Sequence, residues 1–236
     1  MSQSPFAVNQ VMRHPRRLVA GAATLMLAAG LAAPASAITA ENAPSGAFIY
    51  QITRQGEVIG EQRLTFERQG DNLVVSTDAK IDVKLLGLSL YGFDQHTEET
   101  WSKNQLIGVS STADDDGTPK KVDMELQGGQ LAGDFNGKNR TAPLGVFPNS
   151  FWNEDSVKQN QILDTSRGKV RQVTVADKGT ETLNLPFGAV KARHFSLSGE
   201  MRRELWYDDK GVLVAGELTA RDGSTVRQEL MRLPGN

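Results

Sequence analysis

The chain has no cysteine among its 236 residues and only three histidines. Without cysteine the protein cannot form a disulfide, a thiolate zinc site, a cysteine nucleophile or the lipid-modified cysteine of a bacterial lipoprotein. Three histidines also provide too few imidazoles for a histidine-rich metal centre. The sequence therefore predicts neither a metal site nor a cofactor.

An excess of positive charge is missing as well. Lys and Arg together number 26 and Asp and Glu 28, which gives a net charge of −2. Residues 1–37 contain three arginines and no Lys, Asp or Glu, so the remaining chain has 23 basic and 28 acidic residues, a net charge of −5. Such a chain has no electrostatic attraction to nucleic acid, and we expect no nucleic-acid partner.

The first 37 residues have the three regions of a secretory signal peptide. Arginines at 13, 16 and 17 precede the low-charge run 18–33, and the small-residue pattern Ala35-Ser36-Ala37 follows it. The run is about 16 residues long, short of the roughly 20 apolar residues that span a membrane. We therefore expect cleavage after Ala37 and no stable membrane span afterwards. The partners implied are the export machinery and signal peptidase.

The export route depends on the pair Arg16-Arg17, which resembles a twin-arginine (Tat) signal. Pro15 stands where that signal has Ser or Thr, and the residues after the pair fit poorly. General secretion (Sec) is therefore favoured over Tat, with the periplasm or the exterior as the destination.

The mature chain reads as strands. A short polar leader, residues 38–45, precedes two-residue alternation of polar and apolar side chains that glycine-containing turns interrupt. In residues 73–84, for example, one face carries Val75, Thr77, Ala79, Ile81 and Val83. Many strands at roughly 8–12-residue spacing predict an all-β fold: an antiparallel meander forming a curved sheet, a partly closed barrel or a sandwich.

Residues 137–168 interrupt this pattern. Asn149 or Ser150 could cap a helix whose first turn contains Glu154 and Asp155, so we expect one short helix near 149–158. Residues 46–236 then form a single β-rich domain. An alternative within this domain is two similar halves, 46–136 and 169–233, joined by 137–168.

An internal similarity supports the two halves. Residues 99–118 and 204–224 each contain a tryptophan followed by an Asp-Gly turn, with 16 residues from Trp101 to Gly117 and 17 from Trp206 to Gly223. A recurring hairpin unit is enough to explain the similarity. If the copies are equivalent, Trp101 and Trp206 occupy equivalent inward positions.

Two acidic clusters could be interpreted as catalytic or metal-binding sites. Asp94, His96 and Glu98 share one face of a strand, but the opposite face is apolar, which favours a solvated surface. The run Asp114-Asp115-Asp116-Gly117 lacks the ligand spacing of a calcium loop and is typical of a hairpin turn.

Seven apolar residues are candidates for ligand binding. The run from Leu85 to Tyr91 is the most apolar stretch of the mature chain and could line an apolar cavity, although a buried strand is the favoured interpretation. Aromatic side chains elsewhere could stack on a ring-shaped ligand, although packing in the sheet is the commoner role. The candidates are Leu86, Leu88, Leu90, Tyr91, Trp152, Trp206 and Tyr207.

Several segments together resemble a family of exported bacterial β-rich proteins that is known only as a domain of unknown function. The most specific of them are Trp206-Tyr207-Asp208 and Asp222-Gly223-Ser224, and the similarity covers nearly all of residues 46–233. The resemblance implies a periplasmic β-rich domain and no catalytic residues. More distantly, a signal peptide followed by a long meander is similar to periplasmic lipid and lipoprotein carriers, a likeness of architecture alone.

These observations favour a non-enzymatic exported protein that binds a lipid or another apolar or amphiphilic ligand within a curved sheet. The alternatives are a hydrolase that uses carboxylates such as Asp94, Glu98 or Asp222, and an envelope interaction module without a small ligand. An enclosed apolar cavity would favour binding, whereas a polar cleft with convergent carboxylates would favour hydrolysis.

Overall fold

The computed structural model describes residues 37–85, 88–220 and 222–232. The predicted signal peptide, apart from Ala37, lies outside these residues, as does Leu86. None of the helices in the described part is long and apolar enough to cross a membrane.

The fold is all-β, as the alternation predicted. The strands are β1 Gly46–Arg54, β2 Glu57–Gln69, β3 Asn72–Leu85, β4 Leu88–Ser102, β5 Gln105–Asp115, β6 Thr118–Gln127, β7 Gln130–Phe135, β8 Lys138–Pro143, β9 Phe147–Pro148, β10 Gln161–Asp164, β11 Lys169–Leu185, β12 Gly188–Gly199, β13 Arg203–Tyr207, β14 Leu213–Thr219 and β15 Thr225–Arg232.

Within the described residues, the strands form one 15-stranded curved sheet that does not close. From β8 back to β1 each strand pairs with its neighbour in the chain, β1 then pairs with β15, and the order continues backwards from β15 to β9. All pairs are antiparallel except β9 with β10, which are parallel. The first and last strands therefore meet in the middle of the sheet, and its two edges come from the middle of the chain.

The segment between β9 and β10 contains the short helix that the sequence predicted, as a 3₁₀ helix at Glu154–Lys158. The predicted cap is wrong: Asn153 caps the helix, and its side chain accepts a hydrogen bond from the backbone N–H of Asp155 at 3.0 Å. Asn149 instead accepts from the N–H and the hydroxyl of Thr165, at 3.0 and 2.9 Å. Asn149 therefore fixes the start of this segment against the residue that follows β10.

Five aromatic side chains, which we call the aromatic plug, pack together in the core. Their ring centroids lie 5.3–5.4 Å apart along the series Phe48, Phe66, Trp152, Trp101 and Phe147. Three come from β1, β2 and β4, whereas Phe147 and Trp152 come from β9 and the residues after it. The plug therefore joins the inner face of the sheet to the edge strand β9 and to the connection between β9 and β10.

Candidate functional site

A cavity of about 660 Å³ lies against the inner face of the sheet. Ligand cavities in proteins typically measure roughly 300–1,000 Å³. Residues of β1–β6, β10 and β13–β15 line it, together with residues of the adjoining loops, including Asn149, Ser150 and Phe151 from the connection between β9 and β10. Its size and its position inside a curved sheet make it the candidate site.

The register of β3 and β4 shows how the cavity is built. Alternate residues of β4 from Tyr91 to Glu99 line it, and the matching residues of β3 from Thr77 to Val83 lie beside them. Tyr91 and Glu99 are eight residues apart, which corresponds to about 26 Å along an extended strand. The cavity therefore follows β4 lengthwise, and we call the Glu99 end its floor.

Apolar side chains form much of the wall. They come from both halves of the sheet, on strands β1, β3, β4, β13, β14 and β15. They are Ile52, Ala79, Ile81, Val83, Phe93, Leu205, Leu218 and Val226.

Glu99 on the floor is a fully buried carboxyl group. Its Oε2 accepts hydrogen bonds from the indole N–H of Trp101 at 3.1 Å and from that of Trp152 at 2.9 Å. Burial raises the pKa of Glu99 to about 7, although the Trp152 indole, the nearby Ser150 hydroxyl and the Trp101 indole favour the charged form. The carboxyl is therefore held in place through one oxygen, and it changes charge near neutral pH.

The backbone beside Glu99 is strained. Phe151 has a φ of 55°, a left-handed conformation that bulky residues rarely adopt. Its carbonyl accepts a hydrogen bond from the Tyr207 hydroxyl at 2.8 Å, and the next residue is Trp152, which binds Glu99. Contacts on both sides of Phe151 hold this conformation, and strained residues of this kind concentrate at ligand sites and active sites.

Charged residues toward the other end of the cavity form pairs. Arg54 forms an ion pair with Asp222 and donates to the Ser224 hydroxyl at 2.8 Å. Lys120 pairs with Asp115, which also accepts a hydrogen bond from the Tyr91 hydroxyl at 2.8 Å. This end is therefore polar, with its positive and negative groups balanced.

Arg203 is the exception among the cationic groups that line the cavity. Its guanidinium donates to the carbonyl of Arg202 at 2.7 Å, and no described carboxylate lies within ion-pair distance of it. Burial lowers the pKa of Arg203, and the neighbouring Asp164 opposes the shift. An arginine keeps its charge under these conditions, so Arg203 adds a cation to the wall.

The structure places the sequence-predicted candidates in different surroundings. Leu88 and Leu90 are exposed by 71% and 58%, so the favoured interpretation of this stretch as a buried strand is wrong for them. Tyr91 lines the cavity, and Trp152 is buried in the plug beneath it. Leu86 lies outside the described residues.

Trp206 and Tyr207 are both buried but lie on opposite faces of β13. Tyr207 points inward, and its hydroxyl donates a hydrogen bond to the carbonyl of Phe151 in the connection between β9 and β10. Trp206 lies on the outer face, where its indole donates to Glu181 at 2.5 Å. A role of any of these residues in ligand binding stays a prediction.

Of the two acidic clusters, only Asp115 lines the cavity, where it pairs with Lys120. Asp94, His96 and Glu98 are exposed on the outer face of β4, as the solvated interpretation predicted. Asp114 accepts from the N–H of Gly117 at 2.6 Å, in the turn between β5 and β6. Among the described residues no group of three or more His, Asp or Glu is arranged to hold a metal ion.

Sequence reasoning missed Glu99 as a site residue. The signal was present, because alternation from Phe93 through Thr97 to Trp101 places Glu99 on the apolar face of the strand. A carboxylate at an inward position of a strand is unusual, and this alone makes it a candidate site residue.

Two solved structures align with this chain, and the first of them supports the fold. A β-barrel-like protein of the domain of unknown function DUF1849 from Brucella abortus is similar with a TM-score of 0.56 and 13% identity, covering 78% of this chain and 94% of that one. A protein from Bacteroides fragilis, described as exported and of YmcC-like fold, aligns with a TM-score of 0.30 and 10% identity over 80% of this chain and 96% of that one. No curated protein gives a significant match.

The sequence resemblance to a family of unknown function is confirmed by a family-level comparison. The profile of one family matches residues 50–231, which include nearly all of the strands described above. The chain therefore belongs to the family described as domain of unknown function DUF6134.

Proposed function

We propose that this protein is exported and binds an amphiphilic ligand in the cavity of its curved sheet. The observation that carries the proposal is the cavity itself, about 660 Å³ in volume, with apolar walls and a buried carboxyl group at its floor. The polar groups of the floor favour an amphiphile over a hydrocarbon, because a wholly apolar ligand would leave them unpaired.

Export rests on the sequence of residues 1–37, and the architectural likeness to lipid carriers adds an analogy. The hydrolase alternative finds less support in the arrangement of charged groups. Asp94 and Glu98 face away from the cavity, and Asp222 is paired with Arg54. These three carboxylates do not converge on one substrate position, which two-carboxylate hydrolysis needs.

A cavity-filling substitution tests ligand binding. Ala79 lines the cavity on β3, whereas the next residue, Lys80, is exposed on the opposite face. Ala79→Trp should abolish the fluorescence enhancement of N-phenyl-1-naphthylamine, an apolar dye, and Lys80→Trp should leave it unchanged. Equal dye binding by the wild type and both variants would reject the cavity as the binding site.

Native mass spectrometry addresses the natural ligand. We expect the protein purified from its own periplasm to carry an amphiphile that the Ala79→Trp variant lacks. Wild-type protein that is empty and does not bind the dye would overturn the proposed function.

A further inference from the structure

Three buried side-chain polar atoms in the described part of the chain have no hydrogen-bond partner: Thr77 Oγ1, Glu99 Oε1 and Ser150 Oγ. All three residues line the same cavity. Buried polar atoms in folded proteins are nearly always paired, so each exception needs an explanation. Their clustering in one cavity points to a partner that binds there.

The three residues come together from different parts of the chain. In the register of β3 and β4, Val75 lies opposite Glu99 and Thr77 opposite Thr97, so Thr77 is the diagonal neighbour of Glu99. Ser150 belongs to the connection and is near enough to lower the pKa of Glu99, yet its Oγ makes no hydrogen bond of normal geometry. The unused hydrogen-bonding capacity is therefore concentrated at the floor.

Neighbouring polar groups are paired, so the floor differs from the rest of the wall. Gln95 donates to Thr97 at 3.0 Å and to Ser111 at 3.1 Å, and these two hydroxyls lie 2.8 Å apart. These three side chains therefore form hydrogen bonds with one another and need no ligand as a partner.

The chemistry of Glu99 restricts what can bind. Its Oε2 already accepts two indole N–H groups, which leaves Oε1 as an open acceptor. An ionised carboxylate can only accept hydrogen bonds, whereas the hydroxyls of Thr77 and Ser150 can donate or accept. A group with N–H or O–H donors satisfies all three positions, and an acidic group would meet Glu99 as a like charge.

We propose that the ligand is an amphiphile whose polar end carries an amine or hydroxyl donor and binds Glu99 Oε1, with its apolar part along β3 and β4. This inference rests on the proposed function and specifies the ligand's chemistry and orientation. Glu99 is fully buried in the structure, so binding includes a small shift of the side chains around Ser150.

The competing arrangement places an acidic polar end on Arg203. That guanidinium has no carboxylate partner among the described residues, and it lines the same cavity. Arg203 already donates to the Arg202 carbonyl, whereas Glu99 is fully buried with one oxygen unpaired. This difference favours Glu99 as the group that requires a ligand.

A head-group series tests the proposal on the wild-type protein. Dodecylamine, dodecanol and dodecanoate share one apolar chain and are compared by displacement of N-phenyl-1-naphthylamine, at a pH above the value of about 7 at which Glu99 ionises. We expect dodecylamine and dodecanol to bind at least about tenfold more tightly than dodecanoate, the difference expected for one hydrogen bond to a charged group.

Glu99→Gln should reverse the preference. The two indole N–H groups need an oxygen acceptor, so the amide nitrogen should take the Oε1 position and turn that acceptor into a donor. Dodecylamine should then bind about tenfold more weakly, and dodecanoate should bind more tightly than to the wild type. The matched control is Glu98→Gln, the exposed neighbour on the opposite face, which should not change the series.

Three results would overturn the inference while leaving the proposed function intact. One is equal affinity for all three probes, which would mean that water forms the hydrogen bonds of the polar atoms at the floor. Another is tightest binding of dodecanoate with loss of that binding in Arg203→Gln. The third is a folded Glu99→Gln variant with an unchanged series. If that variant does not fold, the wild-type series decides, and Ser150→Ala should weaken dodecanol binding. Failure of the wild type to bind any probe or the dye would instead reject the proposed function.

Discussion

The indole ring of Trp206 stacks on the imidazole of His194, with ring centroids 4.4 Å apart and planes inclined by 17°. Arg227 lies over the same indole, 5.1 Å from its centroid. His194 also contacts two carboxylates, Glu204 at 2.7 Å and Glu181 at 3.3 Å. Trp206 is therefore buried by side chains of the outer face, whereas Trp101 is buried inside the plug, so the two tryptophans are not structurally equivalent.

Truncation of the two tryptophans should reflect this difference. Trp101→Ala should lower the free energy of unfolding by about 3–5 kcal/mol, the usual cost of removing a large core aromatic. Trp206→Ala removes a stacked ring and a cation–π contact and should cost about 1–3 kcal/mol. Urea unfolding followed by circular dichroism measures both. Equal losses at the two positions would contradict the assignment to different environments.

Stability should depend on pH through Glu99. Burial raises its pKa to about 7, so the folded state holds this proton more tightly than the unfolded state, whose pKa is near 4.5. The contribution of Glu99 to the free energy of unfolding is therefore greatest below about pH 4.5. It falls by about 3 kcal/mol as the pH rises from there through about 7. Glu99→Gln should remove this part of the pH dependence.

The measurement is urea unfolding of both proteins at a series of pH values. Other titrating groups are common to both and cancel in the difference between the two curves. Parallel curves for the wild type and Glu99→Gln would show that the carboxyl titrates alike in the folded and unfolded states.

Tyr50 on β1 should stabilise the junction of this strand with the C-terminal strands β14 and β15. Its hydroxyl donates to the carbonyl of Leu213 at 2.9 Å, and both residues are buried. Tyr50→Phe keeps the ring and leaves that carbonyl without this donor, so we expect a loss of about 1–3 kcal/mol in the free energy of unfolding. Gly46→Ala, on the same strand, would be unsuitable as a control, because Gly46 has a φ of 108°, which alanine rarely adopts.

Thr53→Val is the better control. Its hydroxyl donates to the carbonyl of Arg227 at a longer distance, 3.4 Å, in a half-buried position. This variant should cost less than Tyr50→Phe. The reverse order of losses would contradict the importance of the Tyr50 bond.

Export should depend on the residues before the proposed cleavage site. Replacing Ala35 and Ala37 with bulky residues should leave an uncleaved precursor in membranes, since signal peptidase accepts small residues there. Mass spectrometry of the exported protein gives its N-terminus, which we expect at Ile38. A mature N-terminus before about residue 30 would be incompatible with a cleaved signal, because the apolar run would be retained.

A second substitution distinguishes the routes. Replacing Arg16 and Arg17 with lysines should block a Tat substrate and have little effect on a Sec substrate. We expect little effect, and complete loss of export would favour Tat.

Much of the fold could be predicted because it is local. Antiparallel neighbours joined by tight turns follow from alternation and turn residues, as in β2 and β3 with their turn at Gly70. The pairing of β1 with β15 has no such local signal, because nothing in either strand specifies a partner at the opposite end of the chain.

The site was harder to predict for the same reason. Leu88 and Leu90 are as apolar as core residues, yet they lie where β4 extends beyond the packed part of the sheet. Glu99, in contrast, becomes significant only because Trp152 and Ser150 reach it from more than fifty residues away. Burial depends on what covers a strand, and the sequence of the strand alone does not contain that information.

The pairing of β1 with β15 also sets the order in which the protein can fold. Arg54 and Asp222, which form an ion pair across this junction, are 168 residues apart in sequence, whereas the other neighbouring strands are close in the chain. Each arm of the meander can form early from local hairpins, but the two arms can be joined only after nearly the whole chain is available. Contacts between distant residues slow folding because loop closure costs entropy before the contact forms. Until then β1 and β15 are both exposed edges, able to pair with strands of other molecules, so the slowest step of folding is also the one most exposed to aggregation.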